Sequence, residues 1–196
     1  MLVRDLMTPG PATVRPSAHL KEALTTLARL GITSLPVVDD HGRVCGIVSE
    51  ADLIREAVAR DPRAPEHPVT VEPLFQPRTV EDVYTRVAAS VRVDDDVADA
   101  VETMVAISAK SLPVLDEHGR LVGILSRSDV VRALARADEA IAADIDQLLA
   151  SLGRADWLVE VDEGVAEISG PDGPAERSLA YVAARTVAGV VEVRVD

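Results

Sequence analysis

Aromatic residues and cysteine are scarce in this chain. Its 196 residues include one Trp, two Tyr and one Phe, too few for the stacking platforms on which single-stranded nucleic acids bind. The core must therefore be built from Val, Leu, Ile and Ala. The only cysteine, Cys45, cannot close an intramolecular disulfide, so the composition gives no reason to expect an oxidising compartment.

Basic residues and long apolar runs are also limited. Lys and Arg number 20 against 33 Asp and Glu, which gives a net charge of −13. This balance works against DNA, RNA or anionic lipid as a partner, and we expect no specific nucleic-acid binding. No stretch reaches the roughly 18 apolar residues of a membrane span, and the N-terminus lacks a long apolar signal segment. We therefore expect a cytoplasmic protein.

The strongest pattern in the chain is an internal repeat. The segment 34–52 returns at 111–129, shifted by 77 positions and without a gap. The same shift still relates Val14 to Val91. An ungapped repeat over about fifty residues indicates a duplicated structural unit.

Each copy predicts the element order β-α-β-β-α. The first helix has Ser17 as its expected N-cap, with Asp94 at that place in the second copy, and Gly31 as its C-terminal stop. The β-rich segment 34–49, with a turn at its centre, predicts a hairpin. After Ser49 the apolar spacing is helical again.

The predicted fold class is α/β (α+β), with tandem β-α-β-β-α repeats forming one module and a small α-β-β-α-β domain at the C-terminus. The predicted boundaries are 1–60 for repeat 1, 61–79 for a Pro-rich connector, 80–137 for repeat 2 and 138–196 for the last domain. Prolines make the connector unsuitable for a continuous helix or a central strand.

A serine and an aspartate lie three residues apart at the second strand-to-helix boundary of each copy. They are Ser49 and Asp52 in the first copy, and Ser126 and Asp129 in the second. Two interpretations are open from these residues alone. The serines cap the helices and the aspartates complement the helix dipole, or the unpaired N–H groups of the first turn help to bind an anion.

The repeat resembles the cystathionine-β-synthase (CBS) domain, which occurs as a tandem pair that forms one regulatory module. The resemblance covers about residues 1 to 137. It is carried by the motifs Val3-Arg4-Asp5-Leu6-Met7-Thr8, Gly31-Ile32-Thr33-Ser34-Leu35-Pro36-Val37-Val38-Asp39, Gly42, Gly46-Ile47-Val48-Ser49, Asp52 and Asp129. The second copy departs from the first at Tyr84, Ser108-Ala109 and Lys110.

The segment from Asp138 resembles the BON domain, a small α/β unit proposed to interact with phospholipid or other surfaces. The match depends on the element order and on a few motifs, which are Trp157, Gly164-Val165, Ile168-Ser169-Gly170 and Gly189-Val190-Val191-Glu192-Val193. The connection 170–174 is shorter than is usual in that family.

The CBS resemblance implies a set of ligand-binding residues. The equivalent carboxylate accepts hydrogen bonds from ribose, which assigns Asp52 and Asp129 to the sugar. The serines Ser49, Ser126 and Ser128 would meet phosphate or sugar oxygens. The phosphate end would be lined by Thr33, Ser34, Lys110 and Ser111, and the adenine would lie against Thr13, Val14, Ser90 and Val91.

The two copies differ in charge at this predicted site. The second copy has Lys110 and Arg127 where the first has Thr33 and Glu50. A cation strengthens phosphate binding and a carboxylate opposes it. We therefore expect the site around Asp129 to favour a charged nucleotide, unless Arg127 is only a solvated charge on the helix surface.

Three further groups of residues have a structural and a chemical interpretation. His41 and His118 occupy matching turns and are turn residues or a metal pair. The run 94–96 is a helix N-cap with a charged first turn or a Mg²⁺ site. Cys45, matched by Val122, is a small packed side chain or a reactive thiol. We expect the structural interpretation in each case, with no metal and no catalytic residue.

The sequence lacks a P-loop, a Rossmann glycine motif and a nucleophile–histidine set. The favoured function is a non-catalytic sensor that binds an adenosine-containing ligand, AMP, ADP or ATP, with S-adenosylmethionine or NAD as further possibilities, and no required cofactor. The alternative is a dimeric adaptor that docks a protein or phospholipid surface through the BON-like domain. An enzyme that uses residues 94–96 is the third possibility.

Self-association is expected from the resemblance, because CBS pairs usually form homodimers through their helices. The apolar faces expected to make this contact carry Leu24 and Leu27 in the first copy, and Val101 and Met104 in the second.

Overall fold

The structure is a computed structural model that describes residues 1–58, 77–86 and 89–196. Of the predicted connector 61–79, residues 61–76 lie outside this range. At its end, Thr79 forms an isolated antiparallel bridge with His19.

The described chain alternates short helices and strands. A 3₁₀ turn spans Val80–Asp82. The helices are α1 (Val3–Leu6), α2 (Leu20–Leu30), α3 (Glu50–Ala57), α4 (Val97–Ala106), α5 (Arg127–Leu134), α6 (Asp138–Ser151) and α7 (Gly173–Thr186). The strands are β1 (Thr8–Pro9), β2 (Ser34–Val38), β3 (Val44–Ser49), β4 (Thr85–Arg86), β5 (Val91–Arg92), β6 (Ser111–Leu115), β7 (Leu121–Ser126), β8 (Leu158–Asp162), β9 (Val165–Ser169) and β10 (Glu192–Val195).

The chain divides into two compact units. The hairpin unit comprises Thr8–Arg92 and Ser108–Ile124, and the C-terminal unit comprises Met1–Met7, Val93–Ile107 and Leu125–Asp196. Each unit therefore contains segments of both sequence copies. The mixed α/β fold class and the predicted α-β-β-α-β order after residue 138 are confirmed.

The hairpin unit is organised around the predicted antiparallel hairpins. Strands β2 and β3 pair with Ser34 opposite Ser49, and β4 extends this sheet in the order β2-β3-β4. A second sheet has the order β1-β7-β6-β5. The apolar core against α2 and the first hairpin uses aliphatic side chains, as the scarcity of aromatics required, and includes Val14, Leu20, Ala23, Leu27, Leu35, Val37, Val48, Leu53 and Val80.

The first helix of each copy begins later than predicted. Ser17 is not the cap of α2, because the helix begins at Leu20 and the N-cap residue, His19, makes no side-chain capping bond. Instead the backbone N–H of Leu20 donates to the carbonyl oxygen of Arg78 at 3.1 Å. A neighbouring segment thus satisfies a donor that we had assigned to a local serine. The C-terminal stop at Gly31 is correct, with φ +64°.

In the second copy the capping residue is Asp96 rather than Asp94. The Asp96 Oδ1 atom accepts from the backbone N–H of Ala98 at 2.8 Å. Asp94 instead forms an ion pair with Arg4. The prediction of a carboxylate cap was right in its chemistry and wrong in its position by two residues.

The C-terminal unit contains a three-stranded sheet in the order β10-β9-β8. Strands β8 and β9 form an antiparallel hairpin, and β10 returns after α7 to pair in parallel with β9. The core between the sheet and the helices α6 and α7 is built from Ile141, Ile145, Leu149, Trp157, Ala166, Ile168, Ala180, Ala183, Ala184 and Val190.

Helix α5 and the loop before β10 approach each other closely in the C-terminal unit. Gly189 has φ +99°, and a Cβ atom there would lie 2.7 Å from Ile141 Cδ1 and 3.0 Å from the carbonyl oxygen of Ala133. Arg136 bonds to the same loop, donating from Nη1 to the carbonyl oxygen of Ala188 at 2.8 Å. The absence of a side chain at residue 189 therefore permits this packing.

The apolar faces assigned to dimerisation are largely internal. Leu27 is 5% exposed and Met104 is fully buried, so neither side chain can meet a partner. Exposed apolar side chains occur on the second helix of each copy, where Ile54 is 49% exposed and its repeat equivalent Val131 is 63% exposed. They also occur on the first helices, where Leu30 is 44% and Val105 is 64% exposed.

Within the described residues, no helix combines the length and apolar character that a membrane crossing requires.

We predict that Gly189→Ala lowers the free energy of unfolding by about 1–3 kcal/mol, because the new methyl group must displace Ile141 and backbone atoms. The matched control is Gly173→Ala, since Gly173 also has a positive φ, +84°, but has nothing within 4 Å of its added Cβ. Urea denaturation of both variants measures the difference. Equal destabilisation would show that backbone strain, not the close approach, decides the residue.

We predict that Asp96→Ala destabilises the chain by about 1 kcal/mol, the usual cost of losing an N-cap. Asp94→Ala removes only an exposed ion pair and should have a much smaller effect. Thermal unfolding followed by circular dichroism compares the two variants. A larger effect at residue 94 would contradict the assignment of the cap.

Candidate functional site

Each copy places its aspartate through a reciprocal capping box. In the hairpin unit, the backbone N and the Oγ of Ser49 donate to Asp52 Oδ2 at 2.9 and 2.6 Å. The backbone N of Asp52 donates in return to Ser49 Oγ at 3.3 Å. In the C-terminal unit, Ser126 and Asp129 form the same three bonds at 2.9, 2.6 and 3.2 Å. Both serines therefore cap their helices, and their contact with a ligand stays a prediction.

The capping box uses only one carboxylate oxygen of each aspartate. Asp129 is 8% exposed, and its Oδ1 accepts from Arg132 Nη1 at 3.1 Å. Arg55 is the repeat equivalent of Arg132. Among the described residues, no hydrogen bond reaches Oδ1 of Asp52, whose side chain is half-buried. Within the described part of the chain, Asp52 therefore retains a hydrogen-bond acceptor, whereas the equivalent oxygen of Asp129 is bonded to an arginine.

The two hairpins meet at equivalent serines in the hairpin unit. The Oγ atoms of Ser34 and Ser111 are 2.5 Å apart, and the two residues are separated by the repeat shift of 77 positions. They are 5% and 3% exposed. A residue contacts its own equivalent only near the axis that relates two copies. The first residues of β2 and β6 therefore lie at the local symmetry axis of the duplicated hairpin.

An ion pair joins the two copies beside these serines. Lys110 Nζ lies 2.5 Å from Glu50 Oε1, and the backbone N–H of Glu50 donates to the carbonyl oxygen of Thr33 at 2.9 Å. That Lys110 serves the second site as a cation stays a prediction, but the ammonium is paired in this structure. Its charge is offset by the carboxylate of the first copy.

The other cation invoked for the second site is also engaged. Arg127 is exposed, and its Nη2 donates to the carbonyl oxygen of Met104 at 2.8 Å, which links the start of α5 to α4 within the C-terminal unit. Ser128, the next residue, is exposed.

Of the four residues predicted to contact the adenine, two are buried and two are exposed. Val14 and Val91 are each 7% exposed, and both belong to strand pairings, Val14 with Val37 and Val91 with Val114. Their side chains are core residues and offer little area to a ligand. Thr13 and Ser90, immediately before them, are exposed.

The structure thus brings together one part of the predicted set. In the hairpin unit the strand pairing, the cap and the ion pair connect Thr33, Ser34, Ser49, Asp52, Lys110 and Ser111. Residues 126–129 form a separate capped helix start in the C-terminal unit. Sequence reasoning missed Arg132, and it named Glu50 only as a charge that opposes phosphate, not as the partner of Lys110. The three-residue spacing of Asp129 and Arg132 on one helix was an available signal for that arginine.

The two histidines close matching turns. The backbone N of His41 donates to Asp39 Oδ1 at 2.8 Å, and that of His118 donates to Asp116 Oδ1 at 2.9 Å. The pKa of the Asp39 carboxyl lies below its ordinary value, chiefly because the backbone N–H of Arg43 donates to it. In the ranges 1–58, 77–86 and 89–196, no group of three or more His, Cys, Asp or Glu is arranged to hold a metal ion.

The lone cysteine is half-buried. Cys45 packs at the margin of the aliphatic core, and its Sγ lies 3.7 Å from the carbonyl oxygen of Arg43. Its repeat equivalent, Val122, is half-buried as well.

Solved structures similar to this chain contain adenosine compounds. A CBS domain pair in complex with 5-methylthioadenosine and S-adenosyl-L-methionine is 26% identical, with a TM-score of 0.56 and coverage of 67% of this chain and 94% of that chain. CBSX2, a CBS-pair protein of Arabidopsis thaliana, in complex with AMP is 30% identical, with a TM-score of 0.52 and coverage of 67% and 94%. The cytosolic domain of the Mg²⁺ channel MgtE in complex with ATP is 32% identical, with a TM-score of 0.51 and coverage of 68% and 48%.

A curated relative shows the same domain within a longer protein. L-Aspartate semialdehyde sulfurtransferase of Methanocaldococcus jannaschii is 28% identical over 131 residues, which is 67% of this chain and 23% of that enzyme. The chain therefore spans about a quarter of the length of this relative.

The family model for the CBS domain matches residues 3–59 and 80–136, which correspond to the two copies of the repeat and stop before the α-β-β-α-β segment. The chain belongs to the CBS domain family, and it contains a tandem CBS pair.

Proposed function

We propose that this chain is a non-catalytic sensor whose CBS pair binds an adenosine-containing ligand at the aspartates of its two capping boxes. One observation carries the proposal. The carboxylate of Asp52 is held in a fixed orientation by Ser49 through Oδ2, while Oδ1 has no bond from any described residue. A carboxylate oriented in this way accepts the hydroxyl donors of a ribose.

Adjacent groups complete a polar site at the same place. The hydroxyls of Ser34 and Ser49 lie at the paired ends of β2 and β3, and Thr33 lies beside Glu50 at the start of α3. Thr13 is exposed before the pairing of Val14 with β2. The candidate ligands to be compared at this site are AMP, ADP and ATP, together with S-adenosylmethionine and NAD.

The second position, at Ser126 and Asp129, is the weaker of the two in this proposal. The carboxylate oxygen of Asp129 that lies outside the capping box already accepts a hydrogen bond from Arg132. A ligand must replace that contact. This reverses the ranking that the charges of Lys110 and Arg127 had predicted. Ser128, the exposed residue before Asp129, remains a proposed neighbour of the second ligand.

Signalling requires that the ligand bind two arrangements of the pair with different affinity, because occupancy shifts their populations only by that difference. In this proposal the run 94–96 is structural, which is supported by the ion pair of Asp94 with Arg4 and by the capping of α4 by Asp96. We place the protein in the cytoplasm on its composition.

The second candidate function is an adaptor that docks a partner through residues 138–196. It is supported by the separate core of this segment and by the exposed apolar side chains of α7, where Tyr181 is 49% and Val182 is 59% exposed. The BON-like assignment rests on element order, which is shared by other small α/β domains. In this alternative the nucleotide positions are not functional.

We predict that isothermal titration with AMP, ADP, ATP, S-adenosylmethionine and NAD detects binding of at least one of these ligands. The change Asp52→Asn should weaken that binding by about 10- to 100-fold, because charge-assisted hydrogen bonds to the ribose are lost. Asp129→Asn should have a smaller effect. Asparagine remains a hydrogen-bond acceptor for the cap, so both variants should fold.

The matched control is Asp82→Asn. Asp82 accepts from Thr79 in a capping box of the same kind, in the same unit, but it lies outside the candidate site. Binding unaffected by Asp52→Asn, or weakened equally by Asp82→Asn, would contradict the site. No binding of any of the five ligands would favour the adaptor.

We predict that the chain forms a homodimer through exposed apolar side chains of α3 in the hairpin unit or of α5 in the C-terminal unit. Changing Ile54 and Val131 together to Glu should convert it to monomer, because burying two carboxylates against an apolar partner is unfavourable. Light scattering after size exclusion measures the mass. The control Val182→Glu places the same charge on α7 and should leave the dimer intact; a monomer from this variant alone would assign the contact to the C-terminal segment.

A further inference from the structure

The Glu50–Lys110 ion pair lies directly at the candidate site in the hairpin unit. Glu50 is the first residue of α3, between Ser49 and the ribose-binding candidate Asp52. Lys110 immediately precedes Ser111, whose hydroxyl contacts that of Ser34. The side chains of Lys110 and Glu50 are 54% and 36% exposed, so a ligand can reach both.

The pair has no equivalent elsewhere in the repeat. The residues that correspond to Glu50 and Lys110 by the repeat shift are Arg127 and Thr33. Arg127 donates to the carbonyl oxygen of Met104, and a threonine carries no charge. A carboxylate therefore stands at the start of α3 where the other copy has a guanidinium.

This arrangement determines how a charged ligand is received. An ammonium binds phosphate well when it is available, but Lys110 already neutralises Glu50 at 2.5 Å. A polyphosphate must break the contact between Lys110 and Glu50 before it can bind the ammonium. It then lies beside the unpaired carboxylate of Glu50, which repels it because both are negatively charged. A ligand with one phosphate, or with an uncharged group on the ribose, needs neither change.

We propose that the Glu50–Lys110 pair is a specificity determinant that selects adenosine ligands with at most one phosphate and rejects polyphosphates such as ATP. The inference rests on the proposed function, because it requires the sugar to bind at Asp52. It identifies Glu50 as the residue that excludes charge and Lys110 as its counter-ion.

The experiment titrates AMP and ATP separately into the full chain and its variants at fixed ionic strength. The wild-type chain should bind AMP more tightly than ATP. In Glu50→Gln the freed ammonium should raise the affinity for ATP by about tenfold while AMP changes much less. In Lys110→Gln the unpaired carboxylate should weaken ATP further, and the double variant should return towards the wild-type ratio of the two affinities.

The outcomes separate this inference from the proposed function. If the wild-type chain binds neither AMP nor ATP, nor any other adenosine ligand, both are overturned. If it binds AMP, and Asp52→Asn weakens that binding, but Glu50→Gln leaves the ratio of ATP to AMP affinity unchanged, only the selectivity inference fails. A wild-type preference for ATP also overturns it. Circular dichroism confirms folding of each variant, which is expected because the pair is exposed.

Discussion

The reciprocal hydrogen bonds between a serine and the aspartate three residues later organise the candidate chemistry of this protein. Each box satisfies an N–H group that the first turn of a helix leaves unpaired, and in doing so it holds a carboxylate at a strand-to-helix boundary. A free aspartate side chain would sample several rotamers. In the box, Asp52 is held through Oδ2, and the direction of Oδ1 follows from that constraint.

Much of this arrangement could be predicted because it is local. The caps Ser49 and Ser126 depend on residues three positions apart, and Gly31 stops its helix through its own backbone conformation. The hairpins follow from two β-rich runs on either side of a turn. The repeat itself needed no structural knowledge, since it is a comparison of the chain with itself.

The parts that could not be predicted depend on distant segments. Ser17 had every local property of a cap, yet α2 begins where Arg78 supplies an acceptor to Leu20. The pairing of Lys110 with Glu50 could not be predicted for a related reason, because it joins residues of different copies. Comparing equivalent positions shows how the copies differ, but it does not show which residue of one copy lies against which residue of the other.

The contact of Ser34 with Ser111 joins two identical side chains across the local axis, yet a hydrogen bond has a direction. Only one of the two hydroxyls can donate its proton to the other. The recipient keeps its own proton for a different acceptor, so two chemically identical groups present unequal polarity to their surroundings. The most symmetrical point of the duplicated hairpin is thus a place where symmetry is necessarily broken, and reversing it requires only the rotation of two hydroxyl groups.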